Sequence, residues 1–231
     1  MTAAVVIGAS GGIGGAIADA LEEEGAVDLV HRFARSATGA GHLDITDEAS
    51  VEAAAARVAA GPKPTLIVVA TGLLHEDGRG PEKAFAELDA AWLARQFAVN
   101  AIGPAIVAKH FLPLLPRGER AVFAALSARI GSIGDNRLGG WYGYRAAKAA
   151  LNQLIRTLAI EERRRNDRAI VVALHPGTVD TALSKPFQAN VRAGTLFTPD
   201  RAAMQLLDVV DALKTPDSGK IFDHEGIEIT P

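Results

Sequence analysis

The sequence predicts an α/β fold in which a doubly wound parallel sheet of about seven strands is flanked by helices on both faces. Short apolar runs rich in β-branched residues alternate with longer helical patterns along the whole chain. A glycine-rich turn directly follows the first apolar run and precedes the first helical pattern. The length of 231 residues suits one large domain and is short for two independent cores. We therefore expect a single domain spanning residues 1–231.

Each predicted element follows from its local pattern. The clearest strands are the apolar runs at residues 4–8, 65–70, 121–126 and 170–174, and weaker candidates lie at 28–33 and 220–223. Helical patterns cover residues 13–24, 50–60, 88–115, 144–165 and 199–213. Gly25 and Gly61 follow the first two helices, where glycine typically ends a helix.

Composition excludes several classes of function. A formal net charge of -3 gives no basic surface for nucleic acid or for an anionic membrane, and no run of about 18 apolar residues predicts a membrane span. The chain has no cysteine, which excludes disulfides and thiolate metal sites, and its six histidines show no ligand spacing, so we expect no metal. The start of the chain lacks a signal-peptide pattern, and we expect a cytoplasmic protein.

The glycine-rich turn has the chemistry of a phosphate-binding loop. Gly8, Gly12 and Gly14 surround Ser10 and Ile13 between the first strand and the first helix. Glycine allows positive φ and lets a diphosphate approach the backbone closely, and the N-terminus of the helix attracts the negative charge. The turn therefore predicts a dinucleotide site.

The end of the second strand indicates which dinucleotide binds. An acid at this place usually accepts hydrogen bonds from the ribose 2′-hydroxyl of NAD, whereas arginine suits the 2′-phosphate of NADP. The segment 31–36 contains two arginines and a serine and has no acid. We expect NADP(H) to be preferred over NAD(H), with Arg35 and Ser36 as its contacts, although solvated arginines would give the same pattern.

Tyr144 and Lys148 form the candidate catalytic pair. If Tyr144 opens a helix, Lys148 lies one turn further on the same face. A neighbouring ammonium group would stabilise the phenolate and lower the pKa of the tyrosine. Tyr144 would then act as general acid in reduction and as general base in oxidation.

Together these motifs resemble the short-chain dehydrogenase/reductase family, and within it the C-factor-like group and its carbonyl-reductase relatives. Further similar runs are VATGLLH (69–75), VNAIGP (99–104), LSARIGSI (126–133), GGWYGYR (139–145) and HPGTVDT (175–181). The resemblance implies a Rossmann fold, and it implies that Asn100 holds a water in a proton relay to Lys148, which also binds the nicotinamide ribose. It implies adenine contacts from Asp44, after a third strand, and Ile45. Further cofactor contacts would come from Ala70, Thr71, Gly72, Pro176, Gly177, Val179 and Thr181.

The sequence departs from the family at the catalytic serine. Most relatives have this serine as the second residue of a Ser-Ser pair, and that position is Ala128 here. Ser127 lies one residue earlier, which in a regular strand points to the opposite face. We expect Ser127 to reach the site through a bulge or the end of the strand; the alternatives are that Ser132 substitutes or that the hydroxyl is missing.

We expect an NADP(H)-dependent oxidoreductase that transfers hydride between the nicotinamide and a small carbonyl or alcohol substrate. The segment 183–199 lacks clear periodicity and is the expected substrate-binding loop. The alternative is a C-factor-like signalling or regulatory protein that binds the cofactor with little turnover, as Ala128 suggests. By resemblance we expect a homodimer or homotetramer formed through the helices at 88–115 and 144–165.

Overall fold

A computed structural model describes residues 1–192 and 194–231, with the side chain of Asn190 excepted; Ala193, inside the expected substrate loop 183–199, lies outside the described residues. The strands are β1 (Ala3–Ile7), β2 (Leu29–Phe33), β3 (Pro64–Val69), β4 (Ala121–Leu126), β5 (Ala169–His175), β6 (Thr178–Val179), β7 (Leu196–Phe197) and β8 (Ile221–Asp223). The α-helices are α1 (Gly12–Glu23), α2 (Glu48–Ala59), α3 (Ala90–Phe97), α4 (Gly103–Phe111), α5 (Tyr142–Arg165) and α6 (Pro199–Ala212).

The main sheet is parallel and has the order β2-β1-β3-β4-β5-β8. Chain order reverses beside β1, because β2 lies on one side of it and β3 on the other. Ligands of doubly wound sheets bind at such a reversal, outside the carboxyl ends of the strands. The doubly wound fold is confirmed, and its topology identifies the edge of the sheet where the site belongs.

The sheet has six strands, one fewer than expected. The third strand that the resemblance implied before Asp44 is reduced to a single parallel bridge between His42 and Ala34. The preceding 3-10 turn, Gly39–Gly41, leaves too few residues to extend the pairing. The short strands β6 and β7 pair only with each other.

Two apolar cores pack against the two faces of the sheet. Alternate residues of each strand point to opposite faces, so Phe123 faces the core shared with α2, α4 and α5, whereas Val122 faces the core shared with α1 and α6. Continuous apolar strands are the pattern of a sheet buried on both faces. This explains why β1 and β4 are buried at every residue.

The expected helix at residues 88–115 is interrupted. It is divided into α3, a π-helical turn at Ala98–Ile102, α4 and a 3-10 turn at Leu112–Leu114. Within the π turn, the amide of Gly103 donates to the carbonyl of Ala98 five residues earlier. Such π turns are rare and frequently lie at functional sites, and this one contains Asn100.

One helical stretch has the length and apolar composition of a membrane span. The stretch Ala90–Leu114 has 25 residues and a mean hydropathy of 1.3 in its most apolar window, half of which is buried inside the fold. Core helices of water-soluble folds share these properties, and Val107 and Phe111 lie in the core on one face of the sheet.

Candidate active site

The turn after β1 is closed by direct backbone contact. Gly8 has φ +94°, and a Cβ at Gly14 would clash with the Gly8 carbonyl oxygen. A Cβ at Gly12 would lie 2.8 Å from Cγ2 of Thr181, which places the segment after β5 against the first turn of α1. Gly11 precedes α1 and gives it no side-chain cap, so the N–H groups of the first turn remain available to an anion.

A cavity of about 230 Å³ lies along the carboxyl ends of β1 and β3. It is lined by predicted cofactor residues: Gly8, Ser10, Arg35, Asp44, Ile45, Ala70, Thr71 and Gly72. The predicted contact Ser36 is exposed and does not line it. The cavity also includes Glu76 and Arg95, which the sequence analysis missed because their pairing joins the loop after β3 to α3 across 19 residues.

The two arginines near the end of β2 differ in their partners. The guanidinium of Arg32 donates to Glu22 and Asp19 on α1 at 2.6–2.9 Å, and the bond to Glu22 helps to raise the pKa of Arg32. Arg35 lines the cavity; the hydrogen bond from Arg95 lowers the pKa of Glu76, and the charge of Arg35 makes a smaller contribution in the same direction. Burial opposes the pKa shift of Asp44, but two bonds from Thr46 and the nearby charges of Arg35 and Arg95 lower that pKa overall.

A second cavity, of about 310 Å³, holds the candidate catalytic tyrosine. Its walls include Ile13, Ser127, Tyr144, Pro176, Gly177, Val179 and Thr181, all predicted for the cofactor or for catalysis. Asn100 and Lys148 are buried and line neither cavity. Thr181, in the wall of this cavity, also packs against Gly12 in the glycine turn.

Tyr144 and Lys148 lie on one face of α5 as predicted, one turn apart. The Lys148 side chain is buried, its Nζ donates to the Leu126 carbonyl at 2.8 Å, and Nζ lies 5.7 Å from the centre of the Tyr144 ring. Burial lowers the pKa of Lys148 to about 7 and raises the pKa of Tyr144 to about 12. The expectation that the lysine lowers the tyrosine pKa is therefore wrong for the protein without cofactor, in which burial alone raises it.

Ser127 lies in the cavity of Tyr144 without any bulge. The register of β4 against β5 is regular through Leu126, and the amide of Ser127 continues it by donating to the Leu174 carbonyl at 2.8 Å. Ser127 thus points to the α5 face, like Phe123 and Ala125. Its hydroxyl donates to Asn152 on α5 at 2.7 Å.

The two alternatives for the serine position are placed elsewhere. Ala128 stays extended, with φ −152°, and brings only a methyl group. The hydroxyl of Ser132 accepts from the amide of Asp135 at 3.1 Å and lines a different cavity beside Ile133 and Tyr142. Of the two candidate serines, Ser127 is therefore the one that shares a cavity with Tyr144, although its hydroxyl proton is donated to Asn152.

Asn100 uses its side chain to hold the loop after β3. Its Oδ1 accepts from the amide of Leu73 at 2.9 Å, and its Nδ2 donates to the Leu73 carbonyl and to Oε1 of Gln96, both at 2.8 Å. The side-chain amide is thus occupied, so a relay water would have to bind other atoms of Asn100. The sequence analysis missed this clamp because it joins residues 27 apart in the chain.

Aromatic side chains lie between the inner cavity, which contains Tyr144, and an outer cavity. The ring of Phe187 lies 5.1 Å from the ring of Trp141, and the Trp141 ring lies 6.4 Å from that of Tyr144. Phe187 lines both the inner cavity and an outer one of about 710 Å³ that includes His75 and Glu82. Phe187 belongs to the loop predicted to shape the substrate site, but sequence alone did not identify it.

His175 ends β5 inside the inner cavity. Burial, with smaller contributions from the charge of Arg129 and from His224, lowers the pKa of His175 to about 4. The ring is therefore neutral at pH 7. Arg129 lies in the same wall and donates to the carboxylate of Asp223 at 3.1 Å.

The glycine turn, the tyrosine–lysine pair and the parallel sheet together define a nicotinamide-binding oxidoreductase of the Rossmann type. The model of the short chain dehydrogenase family matches residues 2–192. The chain belongs to this short-chain dehydrogenase/reductase family, whose members bind nicotinamide cofactors.

Individual relatives agree with this assignment. The C-signal protein of Myxococcus xanthus is 37% identical over 146 residues, which are 63% of this chain and 82% of that protein. The 1-hydroxy-2-glutathionyl-2-methyl-3-butene dehydrogenase of Rhodococcus sp. (strain AD45) is 32% identical over 232 residues, covering 97% of this chain and 96% of that protein. The NADPH-bound carbonyl reductase from chicken fatty liver superimposes with a TM-score of 0.81 at 25% identity, covering 99% of this chain and 94% of that one.

Proposed function

We propose that this chain is an NADP(H)-dependent oxidoreductase that interconverts a small carbonyl compound and its alcohol. The observation that carries the proposal is the shared cavity of Tyr144 and Thr181, because Thr181 also contacts Gly12 in the glycine turn. A phenol, the segment after β5 and a phosphate-binding turn thus border one site. The similarity to an NADPH-bound carbonyl reductase and to a dehydrogenase supports the same chemistry.

The residues of the site fit a nicotinamide dinucleotide. The uncapped N–H groups of α1 and the close backbone approach at Gly8 suit the diphosphate, and the cavity containing Asp44 and Ile45 suits the adenosine end. When bound, the cofactor supplies hydride for reduction or accepts it in oxidation. Val179 and Thr181 would border the nicotinamide, next to Tyr144.

Tyr144 and Lys148 have different roles in the proposed proton transfer. Tyr144 gives its phenolic proton to the substrate oxygen during reduction and takes it back during oxidation. Its pKa of about 12 keeps it protonated at neutral pH, which suits the direction of reduction. Lys148, with a pKa of about 7, exchanges a proton readily near neutrality and would restore the proton of Tyr144.

The preference for NADP(H) is supported by the position of Arg35. Arg35 lines the cavity at the end of β2, whereas Arg32 is engaged by Glu22 and Asp19. Guanidinium groups bind phosphate with two parallel hydrogen bonds, so an arginine that lines this cavity favours the 2′-phosphate. Ser36 is a weaker candidate because it is exposed outside the cavity.

The test is oxidation of NADPH against a panel of ketones and aldehydes, followed by absorbance. We expect turnover by the wild type and a fall in kcat of roughly 10²-fold or more in Tyr144→Phe, because general acid catalysis contributes about that much. NADPH binding, measured by fluorescence, should be unchanged, since the substitution removes only a hydroxyl. Equal turnover by Tyr144→Phe would contradict the proposal.

A second candidate function is cofactor-dependent signalling with little turnover. Ala128 removes one hydroxyl from the site, the Ser127 proton is bound to Asn152, and the chain is similar to the C-signal protein. Tight NADPH binding with no turnover of any carbonyl compound in the panel would favour this function.

We further propose a homodimer or homotetramer in the cytoplasm. Ile102 and Ile160 are about half exposed on the two helical stretches expected to pair, which supports association there. The absence of cysteine is compatible with a reducing compartment. We also propose that the whole chain acts as one nicotinamide-binding domain, with the loop at 183–199 binding the substrate.

A further inference from the structure

The helix that carries Tyr144 begins without a cap of its own. Trp141 precedes α5 in a left-handed conformation, with φ +53°, and provides no side-chain hydrogen bond. The first regular bond of the helix runs from the amide of Arg145 to the carbonyl of Trp141. The amides of Tyr142, Gly143 and Tyr144 precede it and need partners from outside the helix.

Glu82, which lies in the loop after β3, supplies such a partner. Its Oε2 accepts from the amide of Gly143 at 3.1 Å, and its main-chain carbonyl accepts from the amide of Trp141. The residue is only 2% exposed. A carboxylate at a helix N-terminus is stabilised both by the N–H groups and by the helix dipole.

The second oxygen of Glu82 faces the residues around Asn100. Oε1 has no hydrogen-bond partner within the described part of the chain. If Gly143 had a side chain, its Cβ would lie 3.0 Å from this oxygen. Cγ of Gln96 lies 3.3 Å from the same position, and Nε2 of Gln96 also lacks a partner there. Gln96 accepts from Asn100 in the network that clamps Leu73, so Glu82 lies beside that network without a hydrogen bond to it.

We propose that Glu82 is a positioning residue that sets the place of the Tyr144 phenol for proton transfer. This inference rests on the proposed reductase function. Tyr144 directly follows the capped Gly143, whereas Lys148 is fixed separately by the Leu126 carbonyl. Loss of the cap would let the first turn of α5 move while Lys148 stays in place, and the phenol would lose its alignment with the lysine and the substrate oxygen.

The kinetic test compares Glu82→Ala, Glu82→Gln and the control Glu87→Ala. Glu87 lines the same outer cavity, but its carboxylate accepts from the amide of Lys83 and not from α5. We expect Glu82→Ala to lower kcat by about tenfold or more, which corresponds to about 1.4 kcal/mol, with little change in the Kd of NADPH. Glu82→Gln keeps an acceptor oxygen for Gly143 and should recover most of the activity, and Glu87→Ala should match the wild type.

Hydrogen exchange provides a readout that does not depend on turnover. In Glu82→Ala the amides of the first turn of α5 should exchange faster, and those in the middle of the helix should keep their protection. Unchanged exchange there, or an unchanged kcat in an active enzyme, overturns the inference, as does an equal loss of activity in Glu87→Ala. Absence of wild-type turnover instead overturns the proposed function and the kinetic role, while the exchange result still decides whether Glu82 holds the helix start.

Discussion

Lys148 is a lysine whose side chain is buried in the folded protein. Its Nζ donates to one carbonyl, and burial lowers its pKa to about 7. In the unfolded chain the lysine has its ordinary pKa of 10.5. Between pH 7 and pH 10.5 the unfolded chain therefore binds a proton that the folded protein has released, and the stability of the folded protein rises with pH in this window.

Lys148→Met should remove this pH dependence. We expect the free energy of unfolding of the wild type to rise relative to that of the variant by up to about 1.4 kcal/mol per pH unit between pH 7 and pH 9.5. Urea denaturation of the protein without cofactor measures the difference. Tyr144 does not disturb the comparison, because its ordinary pKa of 10 and its raised value of about 12 both lie above this range.

Lys109→Met is the matched control. Lys109 is exposed, and its bond to Glu48 raises its pKa. Below its ordinary pKa of 10.5 it is protonated in both the folded and the unfolded chain, so it adds no pH dependence to the free energy of unfolding. Parallel stability curves for the wild type and Lys148→Met would show that the lysine is not buried in the folded protein as described.

The residues that sequence could identify are those whose chemistry is carried by local spacing. Tyr144 and Lys148 are four residues apart on one helix, and Gly8 and Gly14 flank one turn, so their neighbours in space are also neighbours in the chain. The bond from Ser127 to Asn152 joins residues 25 apart, and the bond from Gly143 to Glu82 joins residues 61 apart. No local pattern encodes such pairs, and tertiary structure is needed to find them.

At the scale of elements, the π turn between α3 and α4 determines where Asn100 points. The sequence predicted one continuous helix there, because the apolar periodicity continues through the π turn. A π turn adds only one residue to a single helical turn, so it changes this periodicity little. The third strand, which the family resemblance implied, is reduced to one parallel bridge between His42 and Ala34, because the 3-10 turn Gly39–Gly41 directly precedes it. Apolar periodicity identified the six strands of the main sheet and the remaining α-helices with small differences at their ends, and it missed the two-residue strands β6 and β7.

Asn100→Asp should destabilise the protein through this element. Aspartate can still accept a hydrogen bond from the Leu73 amide. It cannot donate the two hydrogen bonds that Nδ2 of Asn100 gives to the Leu73 carbonyl and to Oε1 of Gln96, so both acceptors face a carboxyl group instead. We expect a loss of about 2–4 kcal/mol in the free energy of unfolding, measured in urea, since two buried acceptors lose their donor.

Asn136→Asp tests the same chemical change at an exposed position. Asn136 uses only its Oδ1, which accepts from the amide of Gly139 at 3.1 Å, and aspartate retains that acceptor. We expect a change within about 0.5 kcal/mol there. Similar losses in both variants would mean that the clamp on Leu73 contributes nothing of its own.

At the scale of the whole molecule, the proposed cofactor site joins elements from both halves of the sheet. Gly8 follows β1, Arg35 follows β2, Gly72 follows β3 and Thr181 follows β5. A dinucleotide that contacts all of these would bind the folded protein and have little affinity for the unfolded chain. Its affinity is then measurable as a gain in stability of the entire domain.

Thermal unfolding with NADPH or NADH at equal concentration therefore tests the cofactor preference. A ligand at 100 times its Kd stabilises the folded protein by about 2.7 kcal/mol, so the cofactor that binds more tightly should give the higher Tm. We expect the larger shift with NADPH, and we expect Arg35→Ala to abolish the difference because the 2′-phosphate loses its guanidinium partner. Arg32→Ala also removes one positive charge near the site, but the Arg32 guanidinium is bound by Glu22 and Asp19. In this variant the Tm shift should still be larger with NADPH than with NADH. Equal shifts with both cofactors in the wild type, or a preserved NADPH preference in Arg35→Ala, would refute the assignment of Arg35 to the phosphate.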